Sequence, residues 1–235
     1  MRKSVIIVAG GSGSRMGSDL PKQFVVLENY PVLMWTISCF IEYDSSIEIV
    51  VVLPDNQIIY WKNLCLSYSF DHPHQVVTGG VTRFHSVRNG LEALAETDLI
   101  AVHDGVRPLV SRSAIENCFN MAAETGAAIP VLQVNETLRT GTMELSKTVD
   151  RELFFSVQTP QVFKWSILKD AYTQPWSPVF TDDASVVEYK GYPVRMVPGN
   201  RDNLKITHPE DLVFVSEFLK KKKDTLECPS FFLKK

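Results

Sequence analysis

The chain lacks a cysteine pattern, a long apolar run and an excess of either charge. Its four cysteines, Cys39, Cys65, Cys118 and Cys228, are scattered, with no C-x-x-C and no metal-ligand spacing. Cys39 and Cys65 lie in apolar segments, so buried thiols and a reducing compartment are expected. No apolar stretch is long enough to span a bilayer, and Val5–Val8 is too short for a signal-peptide core and runs straight into glycine. A soluble, cytoplasmic protein is the expectation. The formal net charge is only −3, so the whole molecule offers no field for nucleic acid or an acidic membrane, and any anion site must be local. There is no internal repeat, no linker composition and no G-x-S-x-G nucleophile elbow, so serine hydrolysis has little support.

Hydrophobic residues make up 45% of 235 positions, enough to fill a sizeable core. Strand and helix patterns alternate. Val5–Ala9, Ile47–Leu53, Gln75–Thr78, Leu99–Val102, Ala127–Val134 and Pro193–Val197 read as strands. Helices are expected from Pro31, over Gln57–Leu66, after Thr82 as N-cap, over Arg112–Thr125, Trp165–Tyr172 and Thr181–Tyr189, and over Thr207–Lys220 with a Thr207/Glu210 capping box. The βαβα order predicts an α/β, Rossmann-like, three-layer fold: a mainly parallel sheet with helices on both faces. Asn135–Phe155 breaks the pattern and reads as a protruding β-hairpin arm. Its apolar Leu138, Leu145, Val149 and Leu153 have no obvious place in the sheet. Because a lone hairpin is marginal in water, the arm should pack against a second subunit in a homodimer. The whole chain, 1–235, reads as one domain with 135–155 as its dimerisation arm.

The most informative stretch follows the first strand: VAGGSGSRMGSDLPKQ, residues 8–23. Gly10, Gly11 and Gly13 can present backbone N–H groups to phosphate oxygens without side chains in the way, and Arg15 and Lys22 add two cations. A P-loop is excluded because Ser18-Asp19, not Lys-Ser/Thr, follows Gly17. A dinucleotide fingerprint is excluded because that glycine arrives one residue late. What remains is a site for a triphosphate and for charge that builds up at phosphorus.

Other charged or small residues follow strand ends too: Gly79, Gly80, Arg83 and Ser86; Asp104 and Arg107 in HDGVRP; Thr137; and Lys205 in NLKIT. Ligands of parallel sheets bind beyond the strands' C-terminal ends, so one shared anionic-ligand site is expected. Asp182 and Asp183 could bind a metal, but as neighbours of Thr181 at a helix start they read as dipole-complementing acids. His103 and Asp104 are strand neighbours facing opposite ways and should not pair directly.

These pieces are carried in the order AGGSGSRMG with PKQF, GGVTRFHSV, HDGVRP, NETL then TVDRE, QTPQVF, FTDDAS and NLKITHPEDL. In that order the chain resembles, nearly end to end, the 2-C-methyl-D-erythritol 4-phosphate cytidylyltransferases. The resemblance implies transfer of CMP from CTP to methylerythritol phosphate. It implies transition-state stabilisation by Arg15 and Lys22, and nucleotide binding by Ala9, Gly10, Gly11, Gly13, Gly80 and Ser86. It implies acceptor positioning by Arg151, Lys205, Asp104, Arg107 and Thr137, with Thr137 and Arg151 serving a partner's site. Mg²⁺ is expected on the CTP phosphates, since no all-protein metal cage is visible. The family often has Pro and Ala where this chain has Val8 and Gly10, and Ala-Ala where it has Gly105-Val106. Ribitol-5-phosphate cytidylyltransferases share AGG-x-G-x-RMG, PKQF and HD-x-VRP, so that acceptor is the alternative. TVDRE, TDDAS and NLKIT favour methylerythritol phosphate. A non-catalytic nucleotide-binding module is a further alternative, which pyrophosphate release from CTP would exclude.

Overall fold

A computed structural model describes residues 1–11 and 20–224, without the side chains of 223 and 224. Gly13, Arg15 and Cys228 lie outside the described residues. The strands are β1 (Lys3–Val8), β2 (Val26–Leu27), β3 (Tyr30–Pro31), β4 (Glu48–Leu53), β5 (Gln75–Thr78), β6 (Leu99–Asp104), β7 (Ala127–Gln133), β8 (Arg139–Gly141), β9 (Ser146–Thr148), β10 (Phe155–Val157), β11 (Gln161–Lys164) and β12 (Arg195–Pro198). The helices are α1 (Val32–Tyr43), α2 (Asp55–Ser67), α3 (Arg83–Ala93), α4 (Arg112–Thr125), α5 (Trp165–Ala171), α6 (Asp183–Tyr189) and α7 (Pro209–Asp224).

The main sheet runs β10-β7-β11-β6-β1-β4-β5, with β12 also paired to β7. The pairs β6-β1, β1-β4, β4-β5 and β12-β7 are parallel. β1, β4 and β6 carry near-continuous apolar runs because helices cover both faces. Side chains alternate across the sheet. Val5, Ile7, Ile49, Val51 and Leu53 face α1, α2 and α4, whereas Ile6, Val50, Val52, Ile100 and Val102 face α3, α5 and α6. The three-layer architecture expected from the βαβα order is therefore present.

From β1 the chain moves outward through β4 and β5, then returns to place β6 on the other side of β1. That reversal is a topological switch point, and the β1-β6 register ends with Val8 opposite Asp104. The loop after β1 and the carboxylate ending β6 are neighbours because of this pairing.

Several readings need correction. QTPQVF holds an unanticipated strand: β11 runs antiparallel between β6 and β7. The 135–155 excursion does form a hairpin, β8 with β9, but Phe155 already belongs to β10 and pairs with Gln133 of the main sheet. The Thr207/Glu210 capping box is not formed. Asp211 accepts from the N–H groups of Thr207 and His208 instead, and Pro209 takes the first helical position. Cys39 and Cys65 are only partly buried, and Cys118 is the buried thiol. Both pack against the core, but Cys39 also touches the Pro108 carbonyl and Cys65 lines a groove with Trp61 and Phe70, so each is only partly enclosed.

Gly126 ends α4 at φ 101°, with its N–H on the Ala122 carbonyl at 2.8 Å. Gly126→Ala should cost about 1–2 kcal/mol, because a Cβ is strained at that φ. Denaturant unfolding of the two proteins measures it.

Candidate active site

A cavity of about 290 Å³ opens at the C-terminal ends of β1, β5 and β6. Backbone hydrogen bonds extend the ladder past the strand ends and fix its walls. Ala9 N–H donates to Val52 O (2.9 Å), Gly79 N–H to Leu53 O (2.8 Å) and Gly105 N–H to Val8 O (2.9 Å). A Cβ on Gly105 would lie 2.8 Å from that of Ala9, so glycine there lets the β1 and β6 loops touch.

Of the expected nucleotide-binding residues, Ala9, Gly10, Gly11, Gly80 and Ser86 line this cavity together with Lys22, Asp104 and Lys205. Gly80 donates its N–H to Ser86 Oγ at 3.1 Å, and the hydroxyl passes its own proton to Thr82 O at 3.0 Å. Thr82 caps α3 as expected. A Cβ on Gly80 would collide with His85 at 2.3 Å, so this turn requires glycine. Lys22 stands on a short 3-10 turn, Lys22–Phe24, largely buried, with Nζ on the Ile206 carbonyl at 2.8 Å. A Cβ on Gly11 would come within 3.8 Å of the Lys22 stem, so the glycine loop and this cation face the same space.

Asp104 is the one acidic side chain among the described residues lining the cavity, and it is 7% exposed. Its Oδ2 accepts from Arg107 Nε at 2.9 Å and pairs with Lys205 Nζ at 3.1 Å. Burial opposes its ionisation, but Lys205, Arg83 and Arg107 outweigh that and hold the carboxyl well below the usual carboxylate range. Arg107 reaches on to the Asn203 carbonyl at 2.7 Å, which ties HDGVRP to the NLKIT loop.

Beneath Asp104 lies fully buried His103. Asp104 N–H donates to Thr159 Oγ1 at 3.1 Å, and that hydroxyl meets His103 Nδ1 at 3.0 Å. The opposite nitrogen, Nε2, faces the Arg107 carbonyl at 3.2 Å, which can only accept. His103 is therefore the neutral Nε2–H tautomer, and it does not pair directly with Asp104.

Two readings separate at Asp182 and Asp183. Asp182 is the N-cap of α6 in a full capping box with Ser185, as expected. Asp183 is instead fully buried, 2.6 Å from Arg83 Nη2 and 2.6 Å from the Tyr172 hydroxyl that donates to it. It complements an arginine of the cavity wall rather than a helix dipole alone.

Thr137 and Arg151 do not join this cavity. Both are exposed on the excursion that carries the hairpin, and the Arg151 guanidinium donates to the carbonyl of Asn135 in the same segment. Thr137 follows β7, which runs in the same direction as β6 with β11 between them, and it is not among the residues that line the cavity.

The family model described as 2-C-methyl-D-erythritol 4-phosphate cytidylyltransferase (IspD) matches residues 4–221. A protein of that name from Bacteroides thetaiotaomicron is 52% identical over 219 residues, covering 93% of this chain and 100% of the relative. The chain belongs to this family.

Solved structures agree. The methylerythritol phosphate cytidylyltransferase of Thermus thermophilus superposes with a TM-score of 0.73 at 34% identity, covering 93% of this chain and 98% of its own. The 4-diphosphocytidyl-2C-methyl-D-erythritol synthase of Anaerococcus prevotii gives a TM-score of 0.79 at 27% identity, covering 93% and 96%. As a member of this family the chain is a nucleotidyltransferase that uses CTP.

Burial lowers the pKa of His103 to about 4. The unfolded imidazole titrates near ~6.5. A depressed folded pKa gives stability that is complete above the unfolded value and is lost as pH falls through the folded one. Between pH ~6.5 and ~4 the unfolded chain binds one more proton at this site, so stability should fall by about 1.4 kcal/mol per pH unit from His103. Denaturant unfolding at pH 7, 5.5 and 4.5 should show a shallower decline in His103→Gln than in the parent protein.

Proposed function

We infer that the chain transfers the cytidylyl group of CTP to 2-C-methyl-D-erythritol 4-phosphate, releasing pyrophosphate, in isoprenoid precursor biosynthesis. The observation that carries the reading is the cavity itself: a glycine loop, two lysines and a cation-bound carboxylate meet at the β1-β6 switch point of a chain in this family. Relatives named for methylerythritol phosphate, 52% to 38% identical to this chain, support that acceptor over ribitol phosphate.

An acceptor phosphate oxygen is already ionised at neutral pH, so it attacks the α-phosphorus of CTP directly and pyrophosphate leaves in line. No covalent enzyme intermediate and no general base are needed. Catalysis is then positioning plus stabilisation of charge. Gly10, Gly11 and Gly13 wrap the phosphates, and Ala9, Gly80 and Ser86 hold the cytidine. Arg15 and Lys22 stabilise charge developing at phosphorus. Asp104 and Thr137 orient the acceptor, while Arg107, Arg151 and Lys205 hold its phosphate. Mg²⁺, when bound, would be held mainly by the CTP phosphates and would supply neutralisation of their charge. The donors around the cavity fit that mode, since backbone amides and cations surround a single carboxylate.

The chain works as one nucleotidyltransferase domain with 135–155 as a dimerisation arm. Exposed Met143, Leu145, Leu153 and Phe154 lie on this excursion, which supports burial against a second subunit. In that homodimer Thr137 and Arg151 complete the neighbour's site, and a cytoplasmic location fits the soluble character of the chain.

Arg15→Ala or Lys22→Ala should lower kcat about 10²-fold or more, with a smaller change in CTP affinity. Steady-state kinetics with CTP and methylerythritol phosphate measure this, and a raised KM at normal kcat would place both residues in ground-state binding. Mixing Arg15→Ala with Arg151→Ala subunits should restore part of the activity, because each heterodimer has one intact site. A fully active monomer in sedimentation would overturn the arm's role.

A further inference from the structure

Gln23 stands beside Lys22 on the same 3-10 turn and lines the same cavity, yet it carries no charge and is 1% exposed. Its side-chain amide nitrogen donates to Ala9 O at 2.8 Å and to Gln57 Oε1 at 2.7 Å. A carbonyl can only accept, so the amide orientation is fixed and both of its hydrogens are used. Ala9 is the root of the glycine loop and is itself held to β4 by its N–H on Val52 O. Gln57 lies in the first turn of α2, with its own N–H on Pro54 O.

The Gln23 amide therefore spans three segments: the loop root, the lysine turn and the start of α2. The next residue, Phe24, stacks on Trp61 of the same helix at 6.2 Å between ring centroids. Lys22 has a flexible four-carbon stem, so its ammonium is only as well placed as the backbone that bears it. The Ile206 carbonyl holds the ammonium, but that contact does not set the distance from the turn to the glycine loop.

We propose that Gln23 is a positioning residue for the transfer step: it sets the spacing between the phosphate-wrapping loop and the Lys22 ammonium. The proposal rests on the reading of Lys22 as the group that stabilises developing charge. Loss of the clamp lets the lysine turn drift from the loop, and misplacements of about 1 Å at such a group cost on the order of 10²-fold. Because CTP is held by many backbone groups in both ground and transition states, the loss falls on kcat more than on KM.

The test is a double-mutant cycle on the full-length protein, assayed with CTP and methylerythritol phosphate. Gln23→Met keeps the length of the side chain but donates nothing. It should lower kcat about 10- to 100-fold with a change in CTP KM of less than about threefold. In the Lys22→Ala background the same substitution should add almost nothing, since there is no ammonium left to place. Gln57→Leu should give a smaller kcat loss that Gln57→Glu restores, because a carboxylate still accepts from the amide. This second pair runs the same cycle if Gln23→Met does not fold. Losses that multiply in the double variants, or a raised KM at normal kcat, would overturn the proposal while leaving Lys22's role standing. A normal kcat in Lys22→Ala would instead remove the reading of Lys22 and this inference with it.

Discussion

Asp104 is a nearly buried carboxylate at the end of a central strand, and the need to compensate it organises the catalytic end of the molecule. An unpaired charge there would be costly enough to unfold the site or to become protonated. The chain instead brings Arg107 from three residues ahead and Lys205 from 101 residues ahead onto the same oxygen. Each cation drags its loop with it. Arg107 then fastens the Asn203 carbonyl, and Asn203 fastens Thr159, whose hydroxyl already holds the Asp104 N–H. Three distant segments are locked together by one charge and the hydrogen bonds that satisfy its neighbours.

That arrangement has a chemical consequence. Lys22, Arg83 and Lys205 line the cavity around this carboxylate and Arg107 pairs with it, so among the described lining residues cations outnumber acids in a chain of net charge −3. On the function proposed above, Asp104 would hold Arg107 and Lys205 for an incoming phosphate without cancelling both. Arg83, also in the cavity wall, follows the same rule: it is held by buried Asp183, which in turn accepts from the Tyr172 hydroxyl. Preorganised cations of this kind reorganise little as charge moves onto pyrophosphate, which is the condition for electrostatic catalysis.

What was legible in the sequence was what local chemistry or sheet topology dictates. Thr82 before an amphipathic run is an N-cap wherever it occurs. Asp104 and Lys205 could be placed at one site because both follow strand-end patterns and parallel sheets gather such loops. The misses have physical reasons too. β11 is four residues long and almost wholly buried between two strands, so QVFK shows no period long enough to read. Glu210 and Asp211 both sit in the first turn of α7, and spacing alone does not choose which one caps. The Arg83–Asp183 pair spans 100 residues and leaves no local trace. Gln23 was visible inside PKQF, but an uncharged side chain gives no reason to be singled out until its two acceptors are seen.

The arm is where folding and function meet. Within one chain the crevice holds the glycine loop, Lys22, Asp104 and Lys205, while Arg151 points its guanidinium at its own segment's Asn135 carbonyl. A guanidinium parked on one backbone carbonyl keeps donors to spare, five N–H groups against a single acceptor. In the homodimer proposed above, the exposed apolar residues of the arm and its polar side chains would serve different ends. The former would supply the burial that brings two subunits together, and the latter would reach the neighbouring crevice. Association would then raise the cation count at the acceptor phosphate while Asp104 stays held by Arg107 and Lys205 of its own chain, so assembly would be linked to turnover.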